Sequence, residues 1–251
     1  MSTDQTSRSF RPAPTHSAPV VFGAGAAIGV LGGMIGLGGA EFRLPLLIGL
    51  FGFAALSAVI LNKAMSLVVV LVALPARLVA VPAAEVAARW PVAVNLLAGS
   101  LLGAWAGACW AVRMRSATLY KVLAALMVLM AAALVVTHTT TLDALALPLW
   151  AQIPAEVAAG FGIGVVAAIM GVAGGELLIL TIVLVAFARY SRDGSFSVLG
   201  AHLRFTAVMA TGSIAGAVLG GLLLGVFPDL VLIPALAVIL LVSAVKLARH
   251  D

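Results

Sequence analysis

Charged residues and cysteine are both scarce in this sequence. Only 9% of the 251 residues are charged, while 63% are hydrophobic, whereas soluble domains carry about 25% charged residues. This deficit excludes an ordinary soluble domain and predicts an integral membrane protein. Cys109 is the only cysteine, so an intrachain disulfide is excluded, and its small neighbours favour a packing role in a helix.

Motifs of the common enzyme and cofactor classes are also missing. The sequence contains no nucleophile elbow, phosphate-binding loop or complete dinucleotide fingerprint. No group of His, Cys, Asp and Glu has the spacing of metal ligands. We therefore expect neither an enzyme nor a bound metal or cofactor. The net charge of +5 does not predict nucleic-acid binding, because the basic residues are scattered at the ends of apolar segments, where they set orientation.

What the sequence does contain is a glycine-rich apolar segment that occurs twice. The first copy reads GVLGGMIGLGGAEF, Gly29 to Phe42, and the second reads GVVAAIMGVAGGEL, Gly164 to Leu177. The aligned copies share glycines and a glutamate: Gly29 with Gly164, Gly36 with Gly171, Gly39 with Gly174, and Glu41 with Glu176. Glycine frees the backbone to leave a helix, and a duplicated, interrupted membrane helix is typical of transporters built from two structural repeats.

The hydropathy pattern divides the chain into two membrane repeats. We expect a disordered polar tail over residues 1–19, a first transmembrane repeat over 20–138, a linker over 139–152 and a second, shorter repeat over 153–251. The predicted fold is an all-α polytopic membrane bundle of about seven or eight helices, because each broken segment counts as one crossing or two. The second half shows no good match to the connector and glycine-rich helix over 81–112.

The basic residues give part of the orientation. Arg113, Arg115 and Lys121 flank a turn, and Lys246 and Arg249 lie near the end of the sequence. We expect both places on the cytoplasmic side of a bacterial inner membrane, because cytoplasmic loops carry an excess of Lys and Arg. The side of the N-terminus stays open, since it depends on whether the first glycine segment crosses twice.

Gly99, Gly103 and Gly107 stand four residues apart in the apolar segment before this turn. This spacing predicts a small face along one side of a helix, which allows another helix to approach closely. The partner is either another helix of the same chain or a second copy in a homodimer.

Each predicted break is a candidate anion site. A helix that restarts inside the membrane has free backbone N–H groups in its first turn, and these bind anions together with the helix dipole. The candidate residues are Gly36, Gly38, Gly39, Ala40, Gly171, Gly174 and Gly175. We expect the two breaks to meet near mid-membrane around one pocket. The alternative is that these glycines only permit tight packing, which does not explain the matching glutamates.

Polar and charged side chains follow both breaks. Lys63 and Arg204 correspond if the loop YSRDGS is an insertion. A cation with neighbouring donor groups is suited to a small oxyanion, and the neighbours here are Asn62, Ser66, His202 and Thr206. Snorkelling toward an interface is the alternative explanation for both cations.

Proton or ion coupling has three candidate residues, Glu41, Glu176 and His202. Carboxylates inside the membrane are costly and usually functional. Each glutamate could instead stabilise a helix start, and His202 could be a hydrogen-bonded structural residue. Arg43 could pair with Glu41, although the second copy has Leu178 at the equivalent position.

The two glycine segments resemble those of a known transporter family. GAAIGVLGGMIGLGGAEFRLPLL is similar to the opening repeat of the sulfite exporter TauE/SafE family, and GFGIGVVAAIMGVAGGELL is similar to its second repeat. The HLRFT segment and the R-x-R turn also fit, so the resemblance runs from about Val20 to the C-terminus. It implies export of small sulfur-containing anions, such as sulfite, sulfoacetate or related organosulfonates, across the cytoplasmic membrane.

The residues alone lead to a small-anion transporter whose two repeats rock to give alternating access. The alternatives are a channel for anions or a neutral solute, an intramembrane enzyme, and a membrane assembly factor that transports nothing. The few charges argue against a continuous polar channel, and the missing catalytic motifs argue against an enzyme. The expected partners are the small anionic substrate and the lipid bilayer.

Overall fold

The computed structural model describes the chain over most of its length, and every structural statement below refers to those residues. They are residues 17–35, 39–80, 90–139, 148–171, 195–223 and 229–248. Within them the chain is helical and contains no strand, so the all-α prediction is confirmed. Most of the predicted tail and linker lies outside the described residues.

Nine helices make up the described part of the chain. They are α1 (Ala18–Ile35), α2 (Ala40–Gly49), α3 (Ala55–Ala80), α4 (Trp90–Arg113), α5 (Ser116–Thr139), α6 (Leu149–Met170), α7 (Ser195–Ala201), α8 (Leu203–Leu222) and α9 (Asp229–Ala248). Four of them, α4, α5, α6 and α8, contain a stretch long and apolar enough to cross a membrane. Shorter apolar stretches lie in α1, α3 and α9. The architecture is the expected multi-pass membrane bundle.

Glycine brings α4 and α6 into backbone contact. A Cβ atom added at Gly103 of α4 would overlap the carbonyl oxygen of Phe161, and one added at Gly164 of α6 would overlap the carbonyl oxygen of Ser100. The Ser100 hydroxyl donates a hydrogen bond of 3.0 Å to the carbonyl oxygen of Gly160. The small face predicted for α4 therefore packs within the chain.

Glycine brings α1 and α8 together in the same way. Gly25 of α1 faces the backbone of Met209, and Gly33 faces the backbone of Ala217. Because successive turns of one helix meet successive turns of the other in ascending order, α1 and α8 run parallel. Gly216 of α8 completes the contact against the backbone of α1.

Each of these pairs joins one helix from each repeat. The two glycine segments begin in α1 and α6, and these helices pack on α8 and α4 respectively. The pattern S-x2-G-x3-G begins at Ser100 in α4 and recurs from Ser213 in α8, so α8 is the counterpart of α4. The second half therefore has a counterpart of this helix, although the sequence of the second half shows no good overall match to residues 81–112. The repeats exchange helices rather than folding as separate halves.

Several helix ends meet at one end of the bundle. Phe53, between α2 and α3, packs against the ring of His202 at the start of α8, with ring centroids 5.1 Å apart. The N–H of Ala55, at the start of α3, donates a 3.2 Å hydrogen bond to Tyr120 Oη near the start of α5. The last turn of α9 lies beside the last turn of α2, and α1 starts here because it runs parallel to α8. We call this the basic end, since its exposed cations are Arg113, Arg115, Lys121, Arg204 and Lys246.

Candidate functional site

The first glycine segment is broken between α1 and α2. α2 begins at Ala40, directly after Gly39, whose φ of 72° is left-handed. A Cβ atom at Gly39 would lie 2.6 Å from the carbonyl oxygen of Ile28 in α1, so both backbone conformation and packing require glycine. The predicted break and the short second helix are confirmed. Gly36 and Gly38 lie outside the described residues.

The second glycine segment is broken at the end of α6. The helix stops at Met170, and Gly171 caps it with a φ of 71°. Gly174, Gly175 and Glu176 lie outside the described residues, and so does any helix that restarts there. The part of this break that the structure describes is therefore a carbonyl end, which carries the negative pole of a helix dipole.

Asn62 of α3 links the two breaks. Its side-chain Nδ2 atom donates to the carbonyl oxygen of Ala40 at 3.0 Å and to that of Met170 at 3.1 Å. A third, longer contact of 3.4 Å reaches the carbonyl oxygen of Gly171. Asn62 is fully buried, so these backbone groups have no access to bulk water. The start of α2 and the end of α6 thus meet at one point on α3.

Arg43 of α2 lies in the same cluster and is 0% exposed. Its Nη1 atom donates to Asn62 Oδ1 at 3.4 Å and to Ser66 Oγ at 3.3 Å. The Ser66 hydroxyl donates in turn to the carbonyl oxygen of Gly171 at 3.3 Å. The Nε and Nη2 atoms of Arg43 have no hydrogen-bond partner in the described part of the chain. A buried guanidinium normally fills all its donors.

Glu41 is the second charged group of α2 at this break and is 2% exposed. Neither carboxylate oxygen accepts a hydrogen bond of good geometry from the described residues. An ionised carboxylate without hydrogen-bond donors is expensive to bury. Helix packing alone therefore does not explain a glutamate at this position.

Lys63 follows Asn62 on α3 and is also 2% exposed. A Cβ atom built on Gly171 would lie 3.2 Å from Lys63 Cγ, which places the lysine stem against the second break. Arg43 and Lys63 against Glu41 give the cluster a formal net charge of +1 when all three are ionised. A buried excess of positive charge with hydroxyl and amide groups beside it favours a small anion.

The chain was also compared with known proteins. The model of the family "Sulfite exporter TauE/SafE" matches residues 21–192. The chain belongs to this family. The matched range contains both breaks and all of α2 to α6, so the resemblance read from the glycine segments is confirmed. Neither a curated protein nor a solved structure gives a significant match.

Three further candidate residues of this TauE/SafE protein lie near the basic end, around the start of α8. The ring of His202 is partly buried against Phe53, and the Thr206 hydroxyl donates to the His202 carbonyl oxygen at 3.0 Å. Arg204 is exposed, whereas Lys63 is buried. The two cations that correspond in the sequence therefore occupy different environments, and their shared role in one site stays a prediction.

Arg43 is the site residue that sequence reasoning undervalued. The second copy of the glycine segment has leucine at the equivalent position, so Arg43 was considered only as a partner of Glu41. The sequence feature that could have identified Arg43 was its position directly after the predicted break. A charged residue in the first turn after a break, within an apolar run, lies close to the free N–H groups of that turn.

Proposed function

We propose that this protein exports small sulfur-containing anions, such as sulfite, sulfoacetate or related organosulfonates, across the bacterial cytoplasmic membrane. Membership of the TauE/SafE family supports export across a membrane. The observation that carries the choice of an anion is the buried guanidinium of Arg43, whose Nε and Nη2 atoms lack partners among the described residues. Sulfite and sulfonates carry several oxygens around one sulfur, and a planar pair of N–H donors can bind two of them at once.

The proposed site combines Arg43 with groups from both breaks. The backbone N–H groups in the first turn of α2 add donors and the positive pole of its dipole. Lys63 adds a second positive charge, while Asn62 and Ser66 orient Arg43 through its Nη1 atom. Residues 36–38 and 172–176 complete the two breaks in the proposal but lie outside the described residues. The site therefore binds by charge and fork geometry.

Energy for export comes from the anion gradient, the membrane potential or a coupled proton in this proposal. Glu41, Glu176 and His202 remain the candidates for coupling. Glu41 is the best supported of them, because it is buried in the first turn of α2, two residues before the guanidinium that binds the anion in this proposal. Protonation of Glu41 would raise the formal charge of the cluster by one and so favour a substrate anion there, and by linkage a bound anion would favour the proton.

Alternating access requires two bodies that move against each other. The repeats themselves are unsuited to this role, because α1 is packed at backbone contact on α8 and α6 on α4. We infer that the moving bodies are these two helix pairs. Asn62 and Ser66 of α3 contact α2 and α6, so relative motion of the pairs would open and close the anion site.

Transport in proteoliposomes tests the site assignment. We expect Lys63→Ala to lower sulfite flux by roughly tenfold, because it removes one charged donor from a buried site. Arg204→Ala tests the matched role predicted for the second cation, and Lys121→Ala, an exposed lysine at the basic end, is the control. Full flux in both Lys63→Ala and Arg204→Ala would reject the site. Saturable flux with counter-exchange supports a transporter, whereas flux that never saturates indicates a channel.

We also propose that the basic end faces the cytoplasm, with the start of α1 and the end of α9 inside, because Lys and Arg accumulate on that side. Single cysteines at the exposed positions Ala18, Arg115 and Ala248, in a Cys109→Ala background, should all react with a membrane-impermeant reagent from the cytoplasmic side. A cysteine at Trp150 should react only from outside, because α6 runs parallel to α4 and starts at the opposite end. Labelling of position 18 from outside would refute this orientation.

A further inference from the structure

A cavity of about 310 Å³ lies between α1, α2 and α9, on the side of α2 that faces away from Asn62. α2 contributes residues that recur every three or four positions and so share one face, namely Phe42, Pro45, Leu46 and Gly49. Arg43 lies on the other face, against α3. One short helix therefore separates the cavity from the anion site.

The lining of this cavity is amphipathic. Its walls are hydrocarbon from α1, α2 and α9, with side chains such as Ile28, Leu31 and Ile239. Two polar residues, Ser243 and Lys246, lie together on the last turns of α9. An apolar pocket with a cation and a hydroxyl at one end matches a molecule that has a hydrocarbon chain and an anionic head.

The position of Lys246 indicates where the anionic head of such a molecule would lie along the helix bundle. Its Cε and Nζ atoms lie 3.4 Å from where a Cβ of Gly49 would be, at the last turn of α2. The side chain of Lys246 is exposed. It lies at the basic end of the bundle, where a lipid headgroup would be. The hydrocarbon part of the cavity extends from there toward Ile28, which packs against Gly39 at the first break.

We propose that this cavity binds one anionic phospholipid, with its phosphate on Lys246 and Ser243 and an acyl chain between α1, α2 and α9. Juxtamembrane cations attract anionic lipid headgroups, and the hydrocarbon walls add burial of the chain. A chain in this position would support the back of α2 and so hold the first break in place. This lipid site is separate from the proposed anion site and does not depend on what the protein transports.

Native mass spectrometry of the full-length protein, purified in mild detergent and mixed with phosphatidylglycerol or phosphatidylcholine, tests the proposal. We expect one retained phosphatidylglycerol and little phosphatidylcholine. Lys246→Ala should weaken phosphatidylglycerol retention about fivefold, while Lys121→Ala, another exposed lysine at the basic end, should leave it unchanged. Ala27→Trp, at an exposed position of the cavity wall, should block the acyl chain.

Three results would overturn the lipid site. Equal retention of both lipids would indicate nonspecific boundary lipid. Equal losses in Lys246→Ala and Lys121→Ala would indicate only the general charge of the basic end. Unchanged retention in a folded Ala27→Trp protein would place the lipid elsewhere. Since these measurements use no transport substrate, a failure here leaves the proposed export function untouched, and the reverse also holds.

Discussion

Arg43→Lys should lower sulfite flux by roughly 100-fold while the protein still folds. Lysine keeps a positive charge beside Glu41, so the buried carboxylate is not left without a counter-charge. The substitution removes the planar fork whose Nε and Nη2 atoms lack partners in the described part of the chain. Those are the donors that the proposal assigns to the anion. Flux of labelled sulfite in proteoliposomes measures the effect, and the thermal midpoint in detergent reports the fold.

Two companion variants separate binding from folding. Arg43→Ala removes the hydrogen bonds of Nη1 to Asn62 and Ser66 and empties the space of a fully buried side chain, so we expect it to destabilise the protein by about 2–4 kcal/mol. Arg113→Ala removes an exposed arginine at the basic end and should keep both flux and stability. Wild-type flux in a folded Arg43→Lys protein would show that the fork does not bind the substrate. The anion site would then have to be sought elsewhere.

The helix breaks could be predicted from the sequence because their causes are local. Glycine adopts a φ of 72° or 71° without the steric cost that a Cβ atom would impose, and both Gly39 and Gly171 belong to the duplicated segment. The long apolar stretches of α4 and α5 follow from composition in the same way.

The pairing of the helices could not be predicted because it depends on surfaces that meet only after folding. Gly99 to Gly107 indicate a small face but not its partner. The counterpart face on α8 was missed because its spacing relative to the second glycine segment differs from that in the first half. An alignment anchored on Gly164 therefore places α8 out of register with α4. The contacts of Ser100 and Ser213 with the partner helices show the match, and the shared S-x2-G-x3-G pattern agrees with it.

Only part of the candidate site could be predicted from the sequence. Asn62, Lys63 and Ser66 were found because they are polar residues just after the first break. Arg43 was undervalued because the second copy of the glycine segment has Leu178 at the equivalent position. Internal symmetry constrains the backbone, whereas a ligand that sits near a symmetry axis can be bound by one copy alone. The asymmetry between Arg43 and Leu178 therefore does not argue against a binding role.

Gly164→Ala and Gly162→Ala should have opposite effects on stability, although both add one methyl group to α6. A Cβ atom at Gly164 would overlap the Ser100 carbonyl oxygen and lie 2.8 Å from its carbonyl carbon and Cα atom. Backbone of another helix cannot move aside as a flexible side chain does, so α4 and α6 must separate, at a cost of about 2–3 kcal/mol. At Gly162 nothing lies within 4 Å, and alanine should stabilise the helix by roughly 0.5–1 kcal/mol.

The same contrast exists in the other pair, between Gly29, which faces Ser213, and Gly23, which has nothing within 4 Å. Thermal unfolding in detergent should show the midpoint of Gly164→Ala and Gly29→Ala lowered by roughly 5–10 °C, with Gly162→Ala and Gly23→Ala at or above wild type. If the helix pairs move as rigid bodies, these substitutions should lower flux only in proportion to the loss of folded protein, so that flux per folded molecule is unchanged. Full stability combined with lost flux in Gly164→Ala would mean instead that α4 and α6 slide during transport, and the pairs could no longer be the moving bodies.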